Sequence, residues 1–464
     1  MATPHVLAIP YPAQGHVIPL MEVSLWLVKH GIKVTFVNTE FNHKRVVKAL
    51  TETENTQEKE MVKLVSIPDG LEPWEDRNEL GKLSEAISTV MPGKLEDLIG
   101  KINGTESDKI ICVIADYGMG WAMELAKKLG IKSVAFCPAA AAMLALANNC
   151  PKLIDDGIID SDGRVLKKQM FQLSPTMPLM NSETLVWTSI GDLESQKIMF
   201  DHIKKNNNSA NVADWSICNS SYELEPAALD VIPYCKPIGP LLANNRLGKS
   251  GGHFWPQDST CLEWLDQQPS QSVIYIAFGS FTVFNETQFQ ELALGLELTN
   301  RPFIWVVRQD INTVQSTLPD MPKGFEDRVR HRGLMVGWAP QQKVLSHPSV
   351  ACFLSHCGWN STVEGVSNGV PFLCWPYFAD QFFNQTYICD HWEIGLGLDK
   401  DEKGIIRKEE IKNKLEQLLT DKRYKRRALN LQAKTMASAT ATGGSSHKIF
   451  NNLVEWIKEK DKSS

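Results

Sequence analysis

Short apolar runs, rich in β-branched residues and closed by Pro, Gly or Asp, alternate with helical stretches along most of this chain. "HVLAIPYP" (5–12) is a run ended by prolines, and "PLMEVSLWLVKHG" (19–31) has helical period, with Pro19 in its first turn and Gly31 at its end. "KVTFVNT" (33–39), "KLVSIPD" (63–69), "KIICVIAD" (109–116) and "KSVAFCP" (132–138) read as strands, and "WAMELAKKLG" (121–130) as an amphipathic helix ending in Gly. Strand, helix, strand at this spacing predicts βαβ units and a parallel, doubly wound sheet. Residues 140–215, rich in Asn, Asp and Lys and broken by patches such as "LSPTMPLMNS", read as less regular. The pattern resumes at "WSICNSSYELEPAAL" (215–229).

A second series follows. "SVIYIAFGS" (272–280), "PFIWVVR" (302–308), "GLMVGWAP" (333–340), "VACFLSH" (350–356) and "PFLCWPY" (371–377) read as strands, with helices over 286–299 and from about 359. Amphipathic helices fill 407–440, and a last one covers 444–459. Between the two series, "IGPLLANNRLGKSGGHFWPQDS" (238–259) has the glycines, prolines and asparagines of a linker. A chain of 464 residues suits two domains of about 200 residues each. The expected division is an N-terminal Rossmann-like domain over 1–240, a linker over 241–260, and a C-terminal Rossmann-like domain over 261–440. A final helix within 441–464 is expected to pack back towards the first domain.

Composition narrows the function classes. A net charge of −6 gives no basic face for nucleic acid, so any bound phosphate must be held by a local site. The ten cysteines form no CxxC pair, and several lie inside apolar runs, which predicts free buried thiols in a reducing compartment. The N-terminus lacks a basic region before its proline-broken apolar run, and no apolar run approaches membrane-spanning length. A cytoplasmic enzyme without membrane insertion is the expectation, with a monomer as the default.

In doubly wound sheets, ligands bind beyond the carboxyl ends of the strands. That rule selects His16 and Asp116 in the first series. A His held by a carboxylate is an oriented general base; taken separately, the two residues read more readily as a polar loop residue and a helix cap. In the second series the rule selects Ser280, Trp338, His356 and Asp380. "HCGWNS" puts Asn360 and Ser361 in the first turn of a helix, where unpaired N–H groups and the helix dipole favour an anion. His356 adds a donor, Gly358 permits close approach of backbone, and a diphosphate suits the set. Glu364 is suited to vicinal ribose hydroxyls and Trp338 to stacking on a base. Ser361-x-x-Glu364 also fits a capping box, which needs no ligand. No G-x-G-x-x-G occurs, "LGKS" at 247–250 is not a P-loop, and "DSD" at 160–162 reads as a surface turn.

The 44 residues from Trp338 to Gln381, "WAPQQKVLSHPSVACFLSHCGWNSTVEGVSNGVPFLCWPYFADQ", resemble the signature box of the plant family 1 UDP-dependent glycosyltransferases, the secondary-metabolite enzymes. "YPAQGHVIPLMEVSLWLVKHGIKVTFVNTEFNHKRV" resembles the family's start, and "CLEWLDQQPSQSVIYIAFGS" the opening of its second domain. The resemblance implies a GT-B fold, an α/β architecture of two Rossmann-like domains facing each other across a cleft. It implies a UDP-glucose co-substrate, no metal or other cofactor, and a small hydrophobic acceptor held mainly by the first domain.

Carried over, Trp338 stacks on uracil, the Ala339 backbone reads the base edge, and Gln341 and Glu364 hold the ribose. His356, Asn360, Ser361 and Ser280 hold the diphosphate, while Trp359, Asp380 and Gln381 grip the sugar. Gln at 381 is associated with glucose in this family. His16 is the base and Asp116 its partner, so the implied reaction is inverting transfer to a hydroxyl, giving a β-O-glucoside of a flavonoid, phenylpropanoid or terpenoid. The acceptor site is expected to be lined from 60–100, 115–150 and 180–205, which contain Trp74, Trp121, Met143, Trp187 and Phe200, with Phe378 a further candidate. The rivals are glucose ester formation on a carboxylate, C-glycosylation of an aromatic ring, and a non-catalytic UDP-sugar-binding protein. A nicotinamide oxidoreductase lacks its glycine fingerprint here.

Overall fold

The computed structural model describes residues 3–50, 61–105, 108–242, 252–308, 320–440 and 443–459. By its contacts the chain divides into two compact units, Met1–Trp255 with Met436–Ser464, and Pro256–Thr435.

The first unit carries strands β1 (His5–Ile9), β2 (Lys33–Thr39), β3 (Val62–Ile67), β4 (Cys112–Asp116), β5 (Lys132–Cys137), β6 (Met170–Phe171), β7 (Met180–Asn181), β8 (Trp215–Cys218) and β9 (Cys235–Pro237). Its helices are α1 (Gln14–Lys29), α2 (Glu40–Leu50), α3 (Leu80–Asn103), α4 (Trp121–Lys128), α5 (Ala141–Asp155), α6 (Leu193–Ala210) and α7 (Pro226–Val231). Seven strands form one parallel sheet in the order β3-β2-β1-β4-β5-β8-β9, and β6 and β7 make a separate antiparallel pair. Every residue of β1 and β4 is buried. Helices cover both faces of such a sheet, which is why these strands read as continuous apolar runs rather than alternating ones.

The second unit repeats the plan with β10 (Val273–Ala277), β11 (Phe303–Val306), β12 (Gly333–Val336), β13 (Val350–Ser355), β14 (Phe372–Cys374) and β15 (Gly395–Gly397). Its parallel sheet runs β12-β11-β10-β13-β14-β15. The helices are α8 (Thr260–Asp266), α9 (Glu286–Thr299), α10 (Phe325–Val329), α11 (Gln341–Ser346), α12 (Trp359–Ser367), α13 (Gln381–Thr386), α14 (Lys408–Thr420) and α15 (Lys422–Thr440), whose last residues, from Met436, count with the first unit. Its core joins Ile274, Ile276, Trp305, Leu354 and Leu373 of the sheet to Leu292 and Leu296 of α9 and Ile411 and Leu415 of α14. In each sheet the strand order reverses once, between β1 and β4 and between β10 and β13. Neighbouring crossovers leave that point in opposite directions and open a crevice at the carboxyl edge.

The fold departs from the sequence reading in three places. α1 starts at Gln14, not at Pro19, so His16 belongs to its first turn and Pro19 lies inside the helix. The stretch 140–215, expected to be less regular, holds α5 and α6. Asp192 caps α6 by accepting the Ser195 N–H at 2.9 Å, and the helix buries Asn206, Asn207 and Ser209 beside Met199 and Phe200. Polar residues on the inward side erase the apolar period. α2 and α3 had no expectation at all. Residues 243–251 of the expected linker, including "LGKS", lie outside the described residues. The part that follows packs on α1: the Phe254 N–H donates to Gln14 Oε1 at 3.1 Å, and Gly252 lies against Val17 and Met21.

The last helix, Ser445–Lys458, puts Phe450, Leu453, Val454 and Ile457 into the core of the first unit, against Trp26 of α1. Its end is tied down by Lys132 Nζ, which donates to the Trp456 and Glu459 carbonyls. All ten cysteines are unpaired, and all but Cys389 are buried.

α5 has no side-chain cap of its own. Glu225, fully buried, supplies one from a distance: its carboxylate accepts the Ala141 and Ala142 N–H groups at 2.8 and 3.0 Å and the Ser220 hydroxyl at 2.6 Å. Burial nevertheless pushes the carboxyl up to about 7, against the pull of those three donors. A folded pKa above the unfolded one means stability is lost as pH rises from about 4.5 to about 7 and is level above that. Glu225→Gln keeps an acceptor and removes the titration. Denaturant melts of both proteins across that window should therefore diverge with pH, by about 3 kcal/mol at most. Parallel curves would show that the site does not titrate there.

Candidate active site

The reversal points of the two sheets place the candidate residues. In the first unit β1 leads to Tyr11 and His16, and the adjacent β4 ends at Asp116. His16 Nδ1 and Asp116 Oδ2 are 2.8 Å apart. The carboxylate accepts the Nδ1–H, which makes Nε2 the basic nitrogen of the neutral ring. The His16 side chain is 36% exposed and that of Asp116 only 1%, so the imidazole can be reached while its partner is sealed. Asp116 Oδ1 accepts the Gly118 N–H at 2.7 Å and caps the 3-10 turn Tyr117–Met119. Both readings of Asp116 thus hold: one oxygen caps, and the other orients the histidine.

Tyr11 lies over this pair, 5.1 Å from the His16 ring and 6.1 Å from that of His202 on α6. Burial pushes the Tyr11 phenol up to about 12, against its hydrogen bond with Ser84. Burial likewise holds the His202 imidazolium down at about 4. Neither carries charge near neutrality.

In the second unit, β10 leads to Ser280 and β13 to His356, across the reversal point. The His356 ring fits between two glycines: a Cβ built on Gly279 or on Gly358 would lie 2.5 Å from its Nε2. Gly279 also has φ +68°, open to few other residues. Gly358 was expected to admit a phosphate to the backbone; its bare Cα makes room for the imidazole. Burial, helped by the charge of Arg308, holds the His356 imidazolium down at about 4, so the ring is neutral near pH 7. Arg308, at the carboxyl end of β11, donates Nη1–H to the Ser280 carbonyl and Nη2–H to the Thr282 carbonyl, the latter at 2.7 Å, fixing the loop after β10.

α12 begins at Trp359 with Gly358 as its N-cap, so Asn360 and Ser361 do fall in its first turn. The capping box is not formed, because the helix starts before Ser361. Instead Gln341 Nε2 donates to Ser361 Oγ at 2.8 Å and to Glu364 Oε2 at 2.6 Å. Gln342 Nε2 donates to Glu364 Oε1 at 3.1 Å, and the Tyr275 hydroxyl donates to Gln341 Oε1 at 3.1 Å. Trp338 is half-buried, with its carbonyl accepting the Asp258 N–H at 2.8 Å, and Ala339 is buried beside it.

Trp359 is buried, 6.4 Å from the Trp392 ring. Asp380 Oδ2 accepts from Asn384 Nδ2, which also reaches the Cys357 carbonyl, both at 2.8 Å. Gln381 Oε1 accepts the Tyr377 and Phe378 N–H groups at 2.8 and 3.1 Å, leaving its amide nitrogen as the donor end. Cys357 (φ 65°) and Ala379 (φ 56°) are held left-handed without being glycine, at about 1 kcal/mol each. Strain of this kind gathers at functional sites.

The expected acceptor residues divide. Trp187 and Phe200 are core: their rings lie 4.8 Å apart, and the Trp187 indole N–H donates to the Gly163 carbonyl at 2.7 Å. Trp121 is buried in the first turn of α4, and its Nε1 has no partner among the described residues. Met143, in the first turn of α5, is half-buried, as is Phe378, which lies 5.8 Å from Phe281. Trp74 is 77% exposed. "DSD" forms a turn in which Asp160 Oδ1 accepts the Asp162 and Arg164 N–H groups.

Sequence reasoning missed Arg308, although the strand-end rule reaches it. It also missed His202, which no local pattern marks. Among the described residues, no group of three or more His, Cys, Asp or Glu is placed to hold a metal ion, and no helix is long and apolar enough to cross a membrane.

Residues 196–435 match the family described as UDP-glucoronosyl and UDP-glucosyl transferase. UDP-glycosyltransferase 83A1 of Arabidopsis thaliana is 48% identical over 470 residues, covering 99% of this chain and 98% of that protein. Linamarin synthase 1 of Manihot esculenta is 34% identical over 482 residues, covering 98% and 96%. Among solved structures, Phytolacca americana UGT2 complexed with UDP-2fluoro-glucose and pterostilbene matches with a TM-score of 0.80 at 26% identity, over 98% of this chain and 99% of that one. A Polygonum tinctorium UDP-glucosyltransferase described as capable of glucosylating indoxyl matches with a TM-score of 0.82 at 25% identity, over 99% and 100%. Two doubly wound units, a matched family domain and a full-length relative at nearly half identity agree: the chain belongs to the plant family 1 UDP-glycosyltransferases, GT-B enzymes whose co-substrate is a UDP-sugar.

Proposed function

We propose that this enzyme transfers glucose from UDP-glucose, with inversion, to a hydroxyl of a small lipophilic metabolite, giving a β-O-glucoside. The observation that carries the reading is the sealed Asp116 at 2.8 Å from the reachable His16. A carboxylate acceptor has no proton to lose and needs no base, whereas an alcohol or phenol does.

His16 Nε2 takes the acceptor proton as the oxygen attacks the anomeric carbon, and Asp116 stabilises the imidazolium that forms. The α-linked donor is attacked from the face opposite UDP, so one displacement gives the β-product. In the second unit, Trp338 and the Ala339 backbone take the uracil, and Gln341 with Glu364 takes the ribose. The first turn of α12, with Asn360 and Ser361, joins Ser280 and neutral His356 in stabilising the diphosphate as it leaves. Trp359, Asp380 and the amide nitrogen of Gln381 take the sugar hydroxyls.

For the acceptor, the names of relatives and neighbours support a small apolar alcohol or phenol. One relative is a 7-deoxyloganetin glucosyltransferase, and neighbouring structures concern pterostilbene and indoxyl. Trp121, Met143 and Phe378 remain the residues proposed to meet it. Incubation with UDP-glucose and a panel of flavonoids, stilbenes, terpenoid alcohols and carboxylic acids tests this. The expected products are alkali-stable β-glucosides, read by mass and by the anomeric proton coupling. Products confined to alkali-labile esters or carbon-linked sugars would overturn it.

A further inference from the structure

The fold brings two of the cysteines together from different elements. Cys374 closes β14, and Cys389 lies in the π-helical turn Tyr387–His391 that continues α13. Their sulfurs are 3.7 Å apart, with the Cys389 S–H donating to the Cys374 sulfur. The two thiols differ in access. Cys374 is fully buried, whereas Cys389 is half-buried and is the one cysteine of the ten that is not sealed in the interior. Burial pushes the Cys374 thiol up, so an oxidant from solvent meets Cys389 first.

The two ends of the segment are not equally free to move. Cys374 sits inside the sheet, opposite Ser355 of β13 on one side and Gly397 of β15 on the other. Cys389 belongs to a single wide turn, closed by the Trp392 N–H on the Tyr387 carbonyl at 2.7 Å. An S–S bond is about 2 Å long, so joining the two sulfurs moves the turn rather than the sheet. The Tyr387 ring of that turn lies 5.2 Å from Trp392, and Trp392 lies 6.4 Å from Trp359. The stretch between the two cysteines also carries Asp380 and Gln381.

We infer that Cys374 and Cys389 are an oxidation site, and that the disulfide they form displaces the residues that grip the sugar. The inference rests on the reading of Trp359, Asp380 and Gln381 as those residues. The oxidant is hydrogen peroxide. It converts the Cys389 thiol to a sulfenic acid and leaves as one water. The Cys374 sulfur then attacks the sulfenic sulfur, its proton departs with the hydroxyl as a second water, and the S–S bond forms. Two electrons and two protons thus pass from the thiols to the peroxide, and a dithiol reductant returns them.

The test treats the whole enzyme with hydrogen peroxide, digests it without reductant and reads the peptides by mass. The expected product is a pair of peptides joined through Cys374 and Cys389, two hydrogens lighter than their sum and split by dithiothreitol. In the linked enzyme the KM for UDP-glucose should rise about tenfold, the effect of losing one hydrogen bond to a charged group. UDP affinity by calorimetry should stay unchanged, because UDP alone lacks the sugar. Dithiothreitol should restore the donor KM, and Cys389→Ser should keep the wild-type value before and after peroxide. An enzyme that gains no such link would overturn the inference, as would a linked enzyme with an unmoved donor KM, or an equal loss in peroxide-treated Cys389→Ser. Reduced Gln381→Ala run in parallel separates the two levels. If it keeps the wild-type donor KM, the sugar assignment fails; if its donor KM rises while that of the linked enzyme does not, only the oxidation site fails.

Discussion

His16→Ala is expected to lower transfer to unactivated alcohols and phenols by about 10²–10⁴-fold, the usual contribution of a positioned general base, while UDP binding survives. The separation follows from where the groups sit. The imidazole and Asp116 belong to the first unit, and the residues proposed to hold UDP belong to the second. Removing the ring leaves the acceptor oxygen protonated as it attacks, so the loss falls on kcat and not on donor affinity. Asp116→Asn should show a smaller loss, because His16 remains but its tautomer and imidazolium are no longer supported. Titration calorimetry with UDP and single-turnover rates give the two quantities. Loss of UDP binding along with activity would show that position 16 serves the fold or the donor instead. Undiminished turnover of a carboxylic acid acceptor by the same variant would point to ester formation as the natural reaction.

Glu364→Ala should raise the KM for UDP-glucose by about 10–100-fold and leave the acceptor KM alone. In the structure the carboxylate accepts from Gln341 and Gln342, and the ribose hydroxyls are proposed to take their place or join them. Hydrogen bonds to a charged acceptor are worth about 1.5–3 kcal/mol, and each 1.4 kcal/mol is tenfold in affinity. Glu364→Gln, which keeps one acceptor, should lie between. Initial rates with varied donor, together with a melting curve, decide the matter. A donor KM that stays at its wild-type value while the protein melts earlier would reduce Glu364 to a structural partner of α11.

The strands of both sheets were legible because a parallel sheet buries both faces and leaves unbroken apolar runs. With the strands in hand, the strand-end rule reached His16, Asp116, Ser280 and His356 without any other information. The helix α6 was not legible, since Asn206 and Asn207 point inward and look like loop residues in one dimension. His202 was hidden for a related reason. Its neighbour in space, the Tyr11 ring, is far away along the chain, and only the docking of α6 joins them. Trp187 and Phe200 err in the opposite sense: large aromatics suggest a pocket, but a Trp whose N–H is matched by the Gly163 carbonyl can be fully buried at little cost. Ser361 and Glu364 fit a capping box by spacing alone, and one glycine at the true helix start was enough to put them to other use.

The first unit is built from two pieces of chain that are far apart in synthesis. Phe450, Leu453, Val454 and Ile457 fill part of its interior, so a ribosome finishes that interior only after the whole second unit has emerged. Until then Trp26 and its neighbours lack their cover. Chimeras that exchange amino-terminal halves between relatives, a natural way to transplant acceptor preference, must therefore carry the matching tail from the same parent. Otherwise an ill-fitting helix, rather than the transplanted residues, will decide whether the hybrid folds.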